Sequence, residues 1–321
     1  MKNDRKKIVL QEIVMVFVLI IVILVPTLYF IEWTDAVIGE PNATVTSELT
    51  IGASAPFVLT IDIEQGSVVL TPNVTTAVNC SIEIVDYDQD SDIDTVKAEF
   101  FDNTASFFGD TDDNNDHYTN NSCFINTSYG DIYTALATCL FDVWYYANPG
   151  TWNCTTTIND SSGYQINESN ITQIQALLSL GLPDTINYGT VNATYISNEN
   201  ITNVTNLGNV EINLSLNGYG RVEGDGYAMN CTQGAVGAIA IEHEKYNLSV
   251  SNPGSLTLGE TVNYTNLTSG VVTKEYNLDY RKNDTANEAT NETFWRIYVP
   301  IGVGGTCNGS IVFGASQVPG A

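Results

Sequence analysis

Five aspartates at alternate positions form the densest group of potential ligands in this sequence of 321 residues: Asp86, Asp88, Asp90, Asp92 and Asp94. Carboxylates spaced along a turn suit Ca²⁺, which takes about six to eight oxygen ligands from flexible loops. An EF-hand is excluded because Ile93 stands where that loop needs glycine, and the following segment has the pattern of a strand. The sequence therefore predicts a loop-type Ca²⁺ site, with a solvated acidic turn as the alternative.

A second acidic stretch, Asp110–Asp116, either completes the same site or forms a separate mobile loop, and we favour the separate loop. Only two histidines are present. His117 belongs to this loop and is expected to be exposed, while His243 lacks the second histidine of a metalloprotease helix. The sequence has no Gly-x-Ser-x-Gly, P-loop or dinucleotide-binding motif. We therefore predict no catalytic site and no enzyme activity.

Two aromatic stretches, 144–146 and 294–298, could line a carbohydrate surface or fill a core. Aromatics in a β-rich chain alternate between core and sheet face, which favours the core.

The six cysteines are even in number and contain no Cys-x-x-Cys pair. In an exported chain this indicates three disulfides, and the scarcity of histidine argues against zinc.

Asn-x-Ser/Thr sequences are dense and indicate an exported N-glycoprotein. Three of them, at Asn79, Asn153 and Asn230, precede a cysteine and are expected to stay unused. The candidate acceptors are Asn42, Asn73, Asn120, Asn126, Asn159, Asn167, Asn170, Asn192, Asn200, Asn203, Asn213, Asn247, Asn263, Asn266, Asn283, Asn291 and Asn308.

The formal net charge of −26 reflects a shortage of base, since Lys and Arg total only 11. So few cations cannot neutralise many phosphates, which argues against nucleic-acid binding.

Four of these basic residues lie in a tip, residues 1–12, before an apolar segment at 13–33. Its length and flanking charge predict a single transmembrane helix with a cytoplasmic N-terminus, a linker at 34–44 and an extracellular remainder. A cleaved signal peptide and a pilin-type leader, whose helix would build a filament core, are the alternatives.

Beyond the membrane, short segments of alternating polarity separated by Gly, Asn and Asp predict an all-β fold of sandwiches. One segment has helical spacing: Ile171, Ile174, Leu177 and Leu178 precede Gly181 and Pro183. This spacing predicts a linker with a short helix at 164–181 between two domains, at 45–163 and 182–321.

The first domain resembles a PKD-like or immunoglobulin-like sandwich in two stretches. The segment Asp86-Tyr-Asp-Gln-Asp-Ser-Asp-Ile is similar to the Asp-Pro-Asp-Gly-Asp-Ile turn after the second strand, with Gln89 and Ser91 where Pro or Gly would be usual. The segment Asn148-Pro-Gly-Thr-Trp-Asn-Cys-Thr-Thr-Thr-Ile-Asn-Asp is similar to the penultimate strand. The resemblance implies an inter-sheet disulfide Cys80–Cys154 and, with it, a local Cys123–Cys139 pair.

The second domain resembles the sandwich modules of archaeal surface proteins. Two segments show this resemblance: Val204-Thr-Asn-Leu-Gly-Asn-Val-Glu-Ile-Asn-Leu-Ser-Leu and Tyr298-Val-Pro-Ile-Gly-Val-Gly-Gly-Thr-Cys-Asn-Gly-Ser-Ile-Val-Phe. In this resemblance Cys307 lies on the closing strand, which leaves Cys231 as its partner.

The whole chain resembles membrane-anchored surface glycoproteins of small-genome (DPANN-type) archaea. We therefore expect a non-catalytic structural or adhesion protein of the cell membrane, with other envelope proteins or a partner cell surface as partners. A glycan- or cell-contact binding module and a self-assembling pilin-like subunit are the alternatives.

Overall fold

A computed structural model describes residues 44–63, 66–251 and 263–319. The chain divides into two compact units, residues 1–52 and 53–321. The predicted basic tip (1–12), transmembrane segment (13–33) and nearly all of the linker (34–44) lie outside the described residues. Within the described ranges, no helix is long and apolar enough to cross a bilayer.

The all-β prediction is confirmed, because strands and two short 3₁₀ turns (Asp90–Asp92 and Ile241–His243) are the regular structure of the described residues. The strands up to residue 174 are β1 (Phe57–Ile63), β2 (Thr75–Val85), β3 (Ile93–Asp102), β4 (His117–Asn120), β5 (Phe124–Asn126), β6 (Thr134–Trp144), β7 (Gly150–Asp160) and β8 (Gln165–Ile174). The later strands are β9 (Leu180–Gly181), β10 (Asn200–Asn206), β11 (Ile212–Tyr219), β12 (Tyr227–Gly234), β13 (Ala238–Ala240), β14 (Glu244–Asn247), β15 (Thr265–Asn266), β16 (Val272–Leu278), β17 (Thr290–Ile297), β18 (Val303–Asn308) and β19 (Ser310–Gln317).

The first eight strands form two four-stranded antiparallel sheets, ordered β1-β2-β6-β5 and β4-β3-β7-β8. Alternate side chains of β2, β3, β6 and β7 point between the sheets and share one core. Trp152 is fully buried there, with its ring 4.9 Å from that of Phe100. We call this pair of sheets the N-terminal sandwich.

The predicted linker helix at 164–181 is wrong. Residues Gln165–Ile174 form β8, which pairs with β7 along ten residues from Asn159–Gln165 to Gly150–Ile174. Thr172 and Ile174 are buried while Ile171 is exposed, which is the two-residue period of a strand. The N-terminal sandwich therefore extends past residue 163, and β9, which pairs with β10, begins the next sheet before residue 182.

The remaining strands form a five-stranded sheet, β15-β14-β17-β10-β9, and two three-stranded sheets, β16-β11-β19 and β13-β12-β18. Side chains of β10, β14 and β17 pack against β11, β16 and β12. Trp295 is fully buried between Tyr246 and Phe313, with ring centroids 5.4 and 5.5 Å away. We call these sheets the C-terminal sandwich.

Three disulfides cross-link the fold, and they are the pairs expected from the resemblance. Cys80–Cys154 joins β2 to β7 and so ties the two sheets of the N-terminal sandwich together. Cys123–Cys139 closes the segment that contains β5. Cys231–Cys307 links β12 to its neighbour β18.

Candidate functional site

Three of the five predicted aspartates come together in the turn after β2. One side-chain oxygen from each of Asp86, Asp88 and Asp92 lies within 4.8 Å of the other two, and we call these residues the carboxylate triad. Asp90 is buried but outside this group, and Asp94 is exposed on β3 and also outside it. Of the five aspartates at alternate positions, three therefore come together and two lie outside the group.

The turn is held by hydrogen bonds to the triad. The backbone N–H of Asp88 donates to Oδ1 of Asp86 at 2.9 Å. The backbone N–H of Ser54, on the segment before β1, donates to Oδ2 of Asp88 at 2.5 Å. Ser161, just after β7, donates its hydroxyl to Asp92. Three separate segments therefore meet at the triad.

The electrostatics of the triad are dominated by negative charge. Burial raises the pKa of Asp86, the N–H of Asp88 lowers it, and the charges of Asp88, Asp92 and Asp160 raise it further. Asp160 ends β7, and its Oδ1 accepts the N–H of Tyr164 at 2.7 Å. Asp160 was not predicted as a site residue, although it is the last residue of the second segment that resembles a PKD-like domain.

Three exposed aromatic rings border the triad. The ring centroid of Tyr87 lies 5.7 Å from that of Phe57 and 6.2 Å from that of Tyr133. Their side chains are 39% (Phe57), 67% (Tyr87) and 37% (Tyr133) exposed. We call these residues the aromatic cluster. Tyr87 lies between two triad members, and the carbonyl of Tyr133 accepts the N–H of Asp86 at 2.9 Å.

The two stretches predicted to be core or carbohydrate surface are largely buried. Tyr145, Tyr146, Phe294 and Trp295 are all buried. The aromatic cluster was not singled out, because Phe57, Tyr87 and Tyr133 are far apart in sequence and share no motif.

The second acidic loop does not join the triad in the described part of the chain. Its carboxylates accept local hydrogen bonds instead: Asp110 from the N–H of Phe107 at 2.8 Å and Asp112 from the hydroxyl of Thr119 at 2.6 Å. The expected exposure of His117 is wrong. His117 is fully buried and its ring stacks on that of Phe101 at 5.5 Å.

His117 also lies between a hydroxyl and a carboxylate, as a hydrolase histidine does. Its Nδ1 lies 2.9 Å from Oγ of Ser106, and its Nε2 lies 3.4 Å from a carboxylate oxygen of Glu99. The Ser106 hydroxyl also lies 3.2 Å from Oδ2 of Asp110, so two partners share it. Ser106 is 4% exposed, which closes it to a substrate. The arrangement serves to fix the loop.

The candidate glycan acceptors differ in accessibility. Asn42 lies outside the described residues. Asn213 is buried, and its side-chain oxygen accepts the N–H groups of Tyr276 and Asn277, so the fold argues against its use. The exposed candidates are Asn73, Asn167, Asn170, Asn192, Asn203, Asn263, Asn291 and Asn308.

Comparison with known proteins finds no matching family model and no matching curated protein. Among solved structures, carbohydrate-binding modules of the β-sandwich superfamily are similar at 10% identity, covering 82% of this chain and 98% of theirs, with a TM-score of 0.24. A chaperone–tip adhesion subunit complex of the Csu pili of Acinetobacter baumannii matches at 10% identity over 78% of this chain and 96% of its own, with a TM-score of 0.36. The C-terminal domain of the Streptococcus agalactiae polypeptide BspA matches at 8% over 78% and 95%, with a TM-score of 0.22. Scores this low carry no argument about the activity of this chain.

Proposed function

We propose that this protein is an exported, non-catalytic contact protein, a structural or adhesion glycoprotein whose N-terminal sandwich meets its partner through the aromatic cluster. The observation that carries the proposal is the exposure of Phe57, Tyr87 and Tyr133 side by side. Grouped aromatic rings left in water mark interaction surfaces, because burying them against a partner releases their hydrating water. None of the candidate acceptor asparagines lies next to these three residues in the sequence.

Export is supported by the cross-links. Three disulfides and no free cysteine in the described residues are typical of a chain that folds in an oxidising compartment. The membrane anchor at 13–33, the cytoplasmic N-terminus and the archaeal source remain predictions from the sequence. Other envelope proteins or a neighbouring cell surface are the partners that this location implies.

The proposal is tested with beads that carry the full-length protein in detergent. Retention is measured on immobilised neutral oligosaccharides and on a surface coated with the same protein. The variant Phe57→Ser/Tyr87→Ser/Tyr133→Ser should lose at least about tenfold in retention on the surface that binds, because the buried aromatic area carries the contact.

The matched control is Phe107→Ser/Tyr195→Ser/Tyr227→Ser, which removes one phenylalanine and two tyrosines exposed elsewhere. It should bind like the unaltered protein. Equal retention by both triple variants would contradict the proposal. Far-ultraviolet circular dichroism and melting of each variant verify that it is folded.

The second candidate is a glycan-binding module. The exposure of the aromatic cluster favours it, since sugar rings stack their apolar faces on exposed aromatic rings. Retention on the oligosaccharides alone would identify this candidate, and retention on the protein-coated surface alone would identify protein contact.

A pilin-like subunit assembled through its N-terminal helix is a further alternative, which lies outside the described residues. N-terminal sequencing tests it directly, because a processed pilin-type chain lacks its basic tip.

A further inference from the structure

Two buried carboxylate oxygens at the triad have no donor. Asp86 is fully buried and Asp160 is 4% exposed. In the described part of the chain, Oδ2 of each has no hydrogen-bond partner. A buried carboxylate left in this state is destabilising, because it has lost its water without gaining a replacement. Such atoms therefore point to a missing positive partner.

Asp160 supplies evidence that is independent of the triad. It comes from the end of β7 rather than from the turn after β2, and the Tyr164 N–H fixes only its other oxygen, Oδ1. Asp160 is paired with Ile93, the residue after Asp92, and the N–H of the adjacent Ser161 donates to the carbonyl of Asp92 at 2.8 Å. None of the ion pairs in the described residues involves Asp160 or the carboxylate triad. Four acidic groups therefore converge without a basic side chain to offset them.

The spacing fits a calcium ion. Calcium–oxygen distances are about 2.3–2.6 Å, so two ligands on opposite sides of one ion lie about 4.6–5.2 Å apart. The triad oxygens lie within 4.8 Å of one another. Carboxylates bind Ca²⁺ through one or both oxygens and in irregular geometry, whereas Mg²⁺ demands a near-ideal octahedron and retains its water. A turn with carboxylates from two separate strand ends suits Ca²⁺ better.

We propose that Asp86, Asp88 and Asp92 bind one Ca²⁺ ion with the charge of Asp160 beside it, and that the bound ion orders the aromatic cluster for contact. Tyr87 lies between Asp86 and Asp88 in the chain, and the carbonyl of Tyr133 accepts the backbone N–H of Asp86. Fixing the turn therefore fixes both rings. The second half of this proposal rests on the contact function proposed above, while the first half does not.

Binding is measured on the full-length protein by calcium titration calorimetry and by terbium luminescence. Tb³⁺ replaces Ca²⁺ and emits when a nearby tyrosine is excited, so Tyr87 should sensitise it. Asp88→Asn and Asp160→Asn should each weaken Ca²⁺ binding at least about tenfold and reduce the emission. Asp94→Asn, which neutralises an exposed aspartate outside the site, should bind like the unaltered protein. Equal affinity of Asp88→Asn and Asp94→Asn, or emission that Ca²⁺ does not displace, would overturn the assignment.

Melting temperature separates weakened ion binding from a damaged fold. An asparagine at 160 keeps the oxygen that accepts the Tyr164 N–H and removes the unpaired charge. In EDTA, Asp160→Asn should therefore melt at or above the temperature of the unaltered protein. In Ca²⁺ it should melt lower, because only the unaltered protein gains stability from the ion. A variant that melts lower in EDTA as well would show that the carboxylate is structural and would overturn its role in ion binding.

The bead assay in Ca²⁺ and in EDTA distinguishes this proposal from the contact function. Retention that depends on the aromatic cluster and falls at least about fivefold in EDTA supports both. Tight Ca²⁺ binding with retention unchanged by EDTA overturns the ordering role alone. Retention that needs the aromatic cluster, in a protein that binds no Ca²⁺, overturns this inference and leaves the contact function standing.

Discussion

Gln89 carries the clearest backbone strain at the candidate site. Its φ is 126° and its ψ is 149°, a region that is open to glycine and closed to side chains with a Cβ. The sequence pattern had already marked this position, since the PKD-like turn usually has glycine or proline there. The presence of glutamine in place of glycine or proline therefore strains the backbone beside the carboxylate triad and does not change the turn.

Gln89→Gly should stabilise the protein by about 1 kcal/mol, since glycine removes a Cβ penalty of about 1–3 kcal/mol and gives back part of it in chain entropy. The measurement is the free energy of unfolding from urea titration of the full-length protein. Gln89→Ala is the matched control and should give no gain. A loss of stability in the glycine variant would mean that the Gln89 side chain contributes more than its backbone costs.

Glu244 is a buried carboxyl far from the triad. It is 1% exposed and accepts the hydroxyl of Tyr188 at 2.7 Å. Burial raises its pKa from 4.5 to about 7, and the Tyr188 hydrogen bond opposes that rise. The folded state therefore holds a proton that the unfolded state releases between these two pH values, so stability is full below pH 4.5 and is lost as pH rises to about 7.

The unaltered protein should lose about 3 kcal/mol from this group between pH 4.5 and pH 8, at about 1.36 kcal/mol per pKa unit. Glu244→Gln cannot ionise and should lack that part of the pH dependence. Urea titrations of both proteins at the two pH values give the difference. Glu242→Gln, an exposed neighbour, should keep the full dependence, and a pH dependence unchanged in Glu244→Gln would refute the assignment.

The sequence predicts candidate residues that lie close together along the chain and misses those that only the fold brings together. Asp86, Asp88 and Asp92 were recognisable because one turn holds them close in sequence. Asp160 was not, since only the pairing of β7 with β3 brings it to the turn. His117 was expected to be exposed because its neighbours are acidic, but Phe101 and Ser106 give it a buried place that no local pattern encodes.

At the scale of elements, β8 shows how tertiary pairing overrides local periodicity. The isoleucines and leucines near 171–178 fit a helix by spacing, but so short a helix is marginal in isolation. The open edge of β7 offers a ladder of ten paired residues instead, and β-branched Ile166, Ile171 and Ile174 suit a strand. The alternating strands of the sandwiches were predictable because alternation is local, whereas the edge of β7 is a property of the folded sheet.

The two disulfides of the N-terminal sandwich should differ in their contribution to stability. Cys80–Cys154 spans 74 residues and Cys123–Cys139 spans 16. Loop-closure entropy assigns them about 4 and about 3 kcal/mol. Melting of Cys80→Ala/Cys154→Ala should therefore show the larger loss, and its inter-sheet position adds a core defect. A larger loss in Cys123→Ala/Cys139→Ala would contradict this order.

At the scale of the whole molecule, a polar junction joins the two sandwiches. The hydroxyl of Tyr146, at the end of β6, donates to Asp284 at 2.8 Å, and Tyr145 donates to Glu288. The Arg281 guanidinium lies 4.5 Å from the Tyr146 ring centroid and 3.2 Å from Glu288. Both tyrosines are 1% exposed, so this loop of the C-terminal sandwich completes their burial. The two predicted domains are therefore parts of one compact unit, residues 53–321, which sequence periodicity had no means of indicating.

Because the junction buries two aromatic rings under charged groups, the two sandwiches should unfold together. Calorimetry of the full-length protein should give one transition for these sandwiches, with calorimetric and van't Hoff enthalpies that agree. Arg281→Ala/Asp284→Ala/Glu288→Ala should separate it into two, since Tyr145 and Tyr146 would lose their partners and each core would melt alone. Asp279→Ala is the control, because this aspartate pairs with Lys282 on the surface and such exposed pairs contribute about 0–1 kcal/mol. Two transitions in the unaltered protein would show that each sandwich is stable by itself. The N-terminal sandwich, which carries the aromatic cluster, and the C-terminal sandwich would then be separately folded parts.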